Sequence, residues 1–153
     1  MYEQVQPQQP TAAYAAQILE TLFRNTAYGI RKTLDQPNEE SIHDLRVTCL
    51  RLRHAVRVFG KLFGDRRARK VRRRLGRLQE ALADVRACDV ALHVLATESL
   101  AAALSTRERR RVVSELNLER RRQLRGLRQR LRKMQRSDLL QRWRNRLLPS
   151  AEP

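Results

Sequence analysis

The chain has 153 residues, 41% of them hydrophobic and 32% charged, with 33 Lys+Arg against 16 Asp+Glu for a formal net charge of +17. That length suits one domain with a real core, and that composition excludes both a disordered polymer and a membrane-spanning protein. Self-repulsion on this scale opposes a compact state unless a counter-charge is close, so a polyanionic partner is the first expectation.

Residues 1–10 (MYEQVQPQQP) are polar and proline-bearing where a signal peptide would be apolar, and read as a disordered tail. A first helix is predicted from Thr11, a candidate N-cap, to Leu34, with Asp35-Gln36-Pro37-Asn38 as the break. Asn38 then caps a second helix, whose opening Glu39 and Glu40 suit the helix dipole. Leu45, Cys49, Leu52, Val56, Phe59 and Phe63 give this helix one buried stripe. Gly64 is predicted to stop it and Asp65 to cap a third helix, with Val71, Leu75, Leu78, Leu82, Val85 and Leu92 in line. Ser105 and Glu108 form a capping box for a fourth helix, lined by Val113, Leu116, Leu124, Leu127, Leu131 and Met134. Asp138 to Leu148, with Trp143, reads as a closing helix, and 149–153 as a tail. The expected fold is all-α: one domain over 11–148, an antiparallel four-helix bundle of helices roughly 40 Å long with a short closing C-terminal helix.

Cys49 and Cys88 lack CxxC spacing and a histidine at ligand spacing, so they are expected to be reduced, buried thiols of a cytoplasmic protein. No metal or cofactor is implied.

The chemistry lies in the arginines. Lysine stands only at 32, 61, 70 and 133; the planar guanidinium fork matches phosphate oxygens better than a lysine point charge does. Codon usage can account for arginine over lysine, but not for the size of the net charge. On the second helix His43, Arg46, Leu50, Arg53, His54, Arg57 and Lys61 share a sector beside the apolar stripe, almost without interleaved acid. A solubilising face usually mixes signs, because opposite charges one turn apart stabilise a helix and like charges oppose it. The third helix adds Arg66, Arg69, Lys70, Arg73 and Arg77, and the fourth Arg121, Arg125, Arg128 and Arg132. Stacked rails of this kind repel unless an anion lies between them or solvent screens them apart. Asp89 falls on the apolar line of the third helix and Arg120 on that of the fourth, and a buried charge needs a partner. Asp89 is therefore read as a structural anchor, pairing with Arg86, Arg120 or a neighbouring rail, rather than as a catalytic carboxylate.

An enzyme is not expected. His43 and His54 lie about 16 Å apart along the axis, too far to share a metal, and His43 and Asp44 diverge as sequence neighbours. There is no glycine-rich phosphate loop and no nucleophile motif. His93 is expected to pack or to face solvent. Nucleic acid is the alternative partner, since it presents the same phosphate charge. Aromatics are only 5% of the chain and none interleaves the rails, which disfavours base stacking, and long bundled helices do not suit a helix-turn-helix reader.

The segment Ser41-Ile42-His43-Asp44-Leu45-Arg46-Val47, followed by Arg51-Leu52-Arg53, resembles the signature of the CHAD domain family, the conserved-histidine α-helical domains. Leu75, Leu78-Gln79, Leu82, Arg86 and Asp89-Val90 resemble the family's second motif, and the likeness covers residues 12 to 148. It implies binding of inorganic polyphosphate in a basic channel between two pseudo-symmetric helical halves, with an association with polyphosphate granules. His43, Arg46, Arg51, Arg53, Arg57 and Arg77 become phosphate ligands by this resemblance, and Lys61 and Arg73 join them by rail position. Three positions depart from the pattern: Leu50 replaces an arginine, and Ala83 and Ala87 stand where the family usually has Gly and Asp. The sequence also supplies one half rather than two, so a homodimer that completes the channel is expected.

Overall fold

In the computed structural model, which describes residues 11–97 and 102–148, the chain forms five α-helices and no strand among the described residues. They are α1 (Thr11–Asp35), α2 (Glu39–Phe59), α3 (Asp65–Ala96), α4 (Thr106–Arg136) and the short α5 (Leu139–Leu147). The expected all-α architecture of four long helices and a closing one is what is observed. The tails at 1–10 and 149–153 lie outside the described residues, and Thr11, the expected cap, is the first described helical residue. No described helix is long and apolar enough to cross a membrane.

Local chemistry sets the helix starts. The Asn38 side chain accepts from the Ser41 amide at 2.8 Å, while the Ser41 hydroxyl accepts from the Asn38 amide at 3.2 Å, so the cap that opens α2 is reciprocal. Ser105 and Glu108 do the same for α4. The start of α3 differs from expectation: Gly64, at φ 110°, is the N-cap, and Asp65 is the first helical residue, paired with Arg69 at 3.2 Å. A side chain is strained at that φ, so glycine rather than aspartate turns the chain.

The second helix also ends earlier than the apolar stripe suggests. α2 stops at Phe59, and Gly60–Phe63 form a turn of 3₁₀-helix. The cause is a close approach: a Cβ at Gly60 would collide with the Ala68 methyl on α3. The tighter turn lets the chain reverse while Phe63 still packs on the core. Gly60→Ala is expected to cost about 1–3 kcal/mol by overpacking. Urea unfolding checks this, and a wild-type midpoint would contradict the contact.

Inside the bundle, Leu19, Phe23 and Ile30 of α1 meet Ile42, Leu45, Leu52 and Val56 of α2, and the line Val71 to Val85 of α3. Each such side chain contributes about 1.5–3 kcal/mol by leaving water. α3's line then turns towards α4, so that Cys88 and Leu95 are buried and Leu92 only partly. α4 is packed unevenly: Leu127, Leu131 and Met134 in its C-terminal third are its buried residues, while Val113, Leu116 and Leu124 are half-covered. α5 completes the core with Leu140, Trp143 and Leu147. It begins after Asp138, whose φ of 44° makes the turn. Cys49 and Cys88 are free, buried thiols, and burial pushes the Cys49 thiol up to about 12.

Candidate functional site

The charged side chains are segregated along α2. The acids Asp35, Glu39, Glu40 and Asp44 gather where α1 turns into α2. The opposite end, where α2 turns into α3, carries Arg57, Lys61, Arg66, Arg67, Arg69 and Lys70 with Asp65 the lone acid among them. The acids of α2 are occupied elsewhere. Asp44 takes Lys32 of α1 at 3.0 Å, which holds the lysine ammonium above its usual range. Glu39 takes His93 at 2.9 Å and Arg86 at 3.1 Å, and these two, His93 first, hold its carboxyl below the usual range.

Among the described residues, His43, Arg46, His54 and Arg57 of α2 are exposed and have no carboxylate partner. Arg53 is the one that crosses to α3. Its Nη1 donates to Gln79 Oε1 at 3.0 Å, and its guanidinium lies over Gly76, 3.5 Å from where a Cβ would be. An amide oxygen holds the guanidinium in place without neutralising it, so Arg53 is oriented yet still charged.

Not every residue expected at the site joins this face. Arg51 is exposed but lies roughly 140° to 160° around α2 from Arg46 and Arg53, since successive residues turn by about 100°. Lys61 is exposed on the 3₁₀ turn, where the α-helical register of the rail has ended. On α3, Arg73 is exposed roughly 60° from Gly76, and Arg77 is turned roughly 100° from it towards α4. Arg69, roughly 20° from Gly76, and Arg73 therefore stay on the flank of the third helix that meets α2, and Arg77 does not. Arg77 instead lines a groove among α3, α4 and α5, together with Arg74, Arg130, Lys133 and Arg142. Sequence reading passed over these last four, because only the packing of three helices brings them together.

The three departures from the family pattern share one surface. Leu50 is 40% exposed, and Ala83 and Ala87 are exposed as well, with Val90 at 45% and Val94 at 47% further along α3. The outward side of α2 and α3 is thus basic towards the α2–α3 turn and apolar in its middle.

The anchor of the core is now explicit. Arg120 Nε donates to Asp89 Oδ1 at 2.5 Å, Asp89 is 2% exposed, and its Oδ2 has no hydrogen-bond partner. Arg86 is not Asp89's partner; it reaches across to Glu39 on α2, as does His93, which was expected to pack or to face solvent and is exposed. No three His, Cys, Asp or Glu residues gather into a metal site among the described residues.

Comparison with known proteins adds one finding. No curated protein and no solved structure matches the chain. The family model of the CHAD domain matches residues 13–153, nearly the whole length. The motif that bears His43 and Arg46 lies inside that match and on the basic face of α2, and the chain belongs to the CHAD domain family.

Proposed function

We propose that the protein is a binding module for inorganic polyphosphate, not an enzyme, and that the outward face of α2 is where the polymer lies. One observation carries the reading: His43, Arg46, Arg53 and Arg57 stand in register along this helix without a carboxylate partner, while the acids of the same helix are drawn off to Lys32, Arg86 and His93. An unneutralised row of guanidinium groups loses stability by mutual repulsion and regains it when a linear phosphate chain brings the counter-charge. Membership of the family supports the ligand, since CHAD domains bind polyphosphate in general. Association with polyphosphate granules in the cytoplasm follows from that reading.

The test is competition of long-chain polyphosphate against duplex DNA and RNA at two salt concentrations. Polyphosphate should prevail at the higher one, because helical rails without exposed aromatics offer nucleic acid no base contacts beyond its phosphates. Equal binding of DNA or RNA at equal phosphate concentration would transfer the assignment to nucleic acid.

Two copies facing each other would bring two α2 faces to one polymer, and the exposed Leu50, Ala83, Ala87 and Val90 supply an apolar centre for that contact. Light scattering should then report twice the chain mass when polyphosphate is present. A monomer that still binds tightly would remove the shared channel and leave the α2 face standing alone.

A further inference from the structure

The groove among α3, α4 and α5 belongs to neither the motif helix nor its rail, yet five cations converge on it. Arg74 and Arg77 enter it from α3, Arg130 and Lys133 from α4, and Arg142 from α5, and no acidic residue lines it. Its volume is about 740 Å³, within the range of ligand-binding clefts. None of these five side chains has a carboxylate partner among the described residues. Two of them are held by groups that do not cancel their charge. Arg130 Nη1 donates to the backbone oxygen of Arg77 at 3.1 Å, and the Arg74 guanidinium lies 6.0 Å from the ring centroid of the buried Trp143.

Gly126 is the second sign. It sits in the interior of α4 on the wall of this groove, and a Cβ there would meet nothing within 4 Å. Packing within the chain gives no reason for glycine at this position, while glycine weakens a helix interior. An open glycine one turn before Arg130 leaves the helix backbone accessible to something from outside the chain.

We propose that this groove is a second anion site, distinct from the α2 face, which takes a short run of a linear phosphate chain passing over Gly126 between Arg77 and Arg130. The proposal takes its ligand from the phosphate-binding reading of α2, but its geometry is independent of it. The site has a defined end: beyond Gly126, the neighbouring depression shared by Arg77 and Arg130 is lined by Glu80 and Asp84, whose carboxylates would repel further phosphates. A nucleic acid strand is disfavoured because the groove's aromatic ring, Trp143, is buried beneath Arg74 and offers no face for a base.

The test is calorimetric titration with tripolyphosphate, read as the number of sites per chain, on the wild type and three variants. Gly126→Glu puts a carboxylate one turn from Arg130, into open space, and Gly126→Gln is its uncharged counterpart. Both replace a helix glycine by a better helix former and should raise the melting temperature, so lost binding cannot be ascribed to unfolding. Arg46→Ala/Arg57→Ala removes the α2 contacts. The wild type should show two sites, the Gly126→Gln chain two, and the Gly126→Glu chain one, the groove's affinity falling at least tenfold; the α2 variant should keep the groove alone. Unchanged site number and affinity in Gly126→Glu would overturn the groove while leaving the α2 reading intact. Loss of the only site in Gly126→Glu, with the α2 variant unaffected, would establish the groove and refute the α2 reading. A wild type that binds no tripolyphosphate would end both, and displacement by single-stranded RNA at equal phosphate concentration would overturn the choice of ligand.

Discussion

Arg120→Ala is expected to lower the stability of the fold by about 3 kcal/mol, towards the lower end of the range for breaking a buried ion pair. The carboxylate of Asp89 is 2% exposed and one of its oxygens has no partner among the described residues, where Arg120 is its only compensating charge. Without it the carboxylate must stay buried as an uncompensated anion, draw in water, or take up a proton, and each costs free energy. The lower end of the range applies because the Arg120 side chain is 22% exposed, leaving a route for water. In a chain of this length that loss shifts thermal unfolding by roughly 6–12 °C. The effect should be concentrated in α4, whose N-terminal half has few buried contacts to replace the ion pair, so amide exchange from Thr106 to Arg120 should accelerate first. The double replacement Asp89→Leu/Arg120→Met should recover most of the loss, because an apolar pair of similar volume removes the unpaired charge altogether. An Arg120→Ala chain within about 0.5 kcal/mol of wild type, a change typical of ordinary surface positions, would show that Asp89 is satisfied in some other way.

Arg46→Ala/Arg57→Ala carries the largest expected effect on binding. Both side chains are exposed and make no hydrogen bond or ion pair within the chain among the described residues, so their removal takes away ligand contacts and little else. Charge-assisted hydrogen bonds contribute about 1.5–3 kcal/mol each, and two together correspond to a loss of affinity on the order of 100-fold or more. The dependence on salt should change as well: each phosphate contact removed lowers the slope of log K against log salt by about one. Arg51→Ala is the internal control, because Arg51 is equally exposed but lies on the other flank of α2. If Arg51→Ala reduces polyphosphate affinity as much as the double variant does, net charge rather than the α2 face governs binding.

How far the sequence foretold this molecule depends on the distance over which each feature is decided. The caps at Asn38 and Ser105 are settled within four residues, and both were legible. So was the need of Asp89 for a cation, because an acid on an apolar line has few fates. Its partner was left open among Arg86, Arg120 and a neighbouring rail, since the choice between the first two depends on which way α2 presents Glu39, 47 residues from Arg86. The early end of α2 was hidden because it arises from the approach of Gly60 to Ala68, a tertiary contact. Rails were legible as periodicities on single helices, but their mutual placement was not. The pattern of α3 alone does not say which flank meets α2 and which meets α4, so the groove that joins Arg77 to Arg74, Arg130, Lys133 and Arg142 was missed.

The separation of acids at the start of α2 from arginines at its end also sets the course of an encounter on the proposed binding face. On that face the positive charge is densest where α2 turns into α3, so on the proposed reading a polyanion is steered there first. Capture is then the fast step and the one that salt slows, over distances of about 10 Å at moderate ionic strength. Residence is governed by the contacts made once the polymer has settled. On the proposed reading, a chain that arrives at Arg57 advances along α2 to Arg46 and slows at Asp44, beside His43. On the proposed reading, α2 therefore gives the polymer a direction of entry as well as a place to rest.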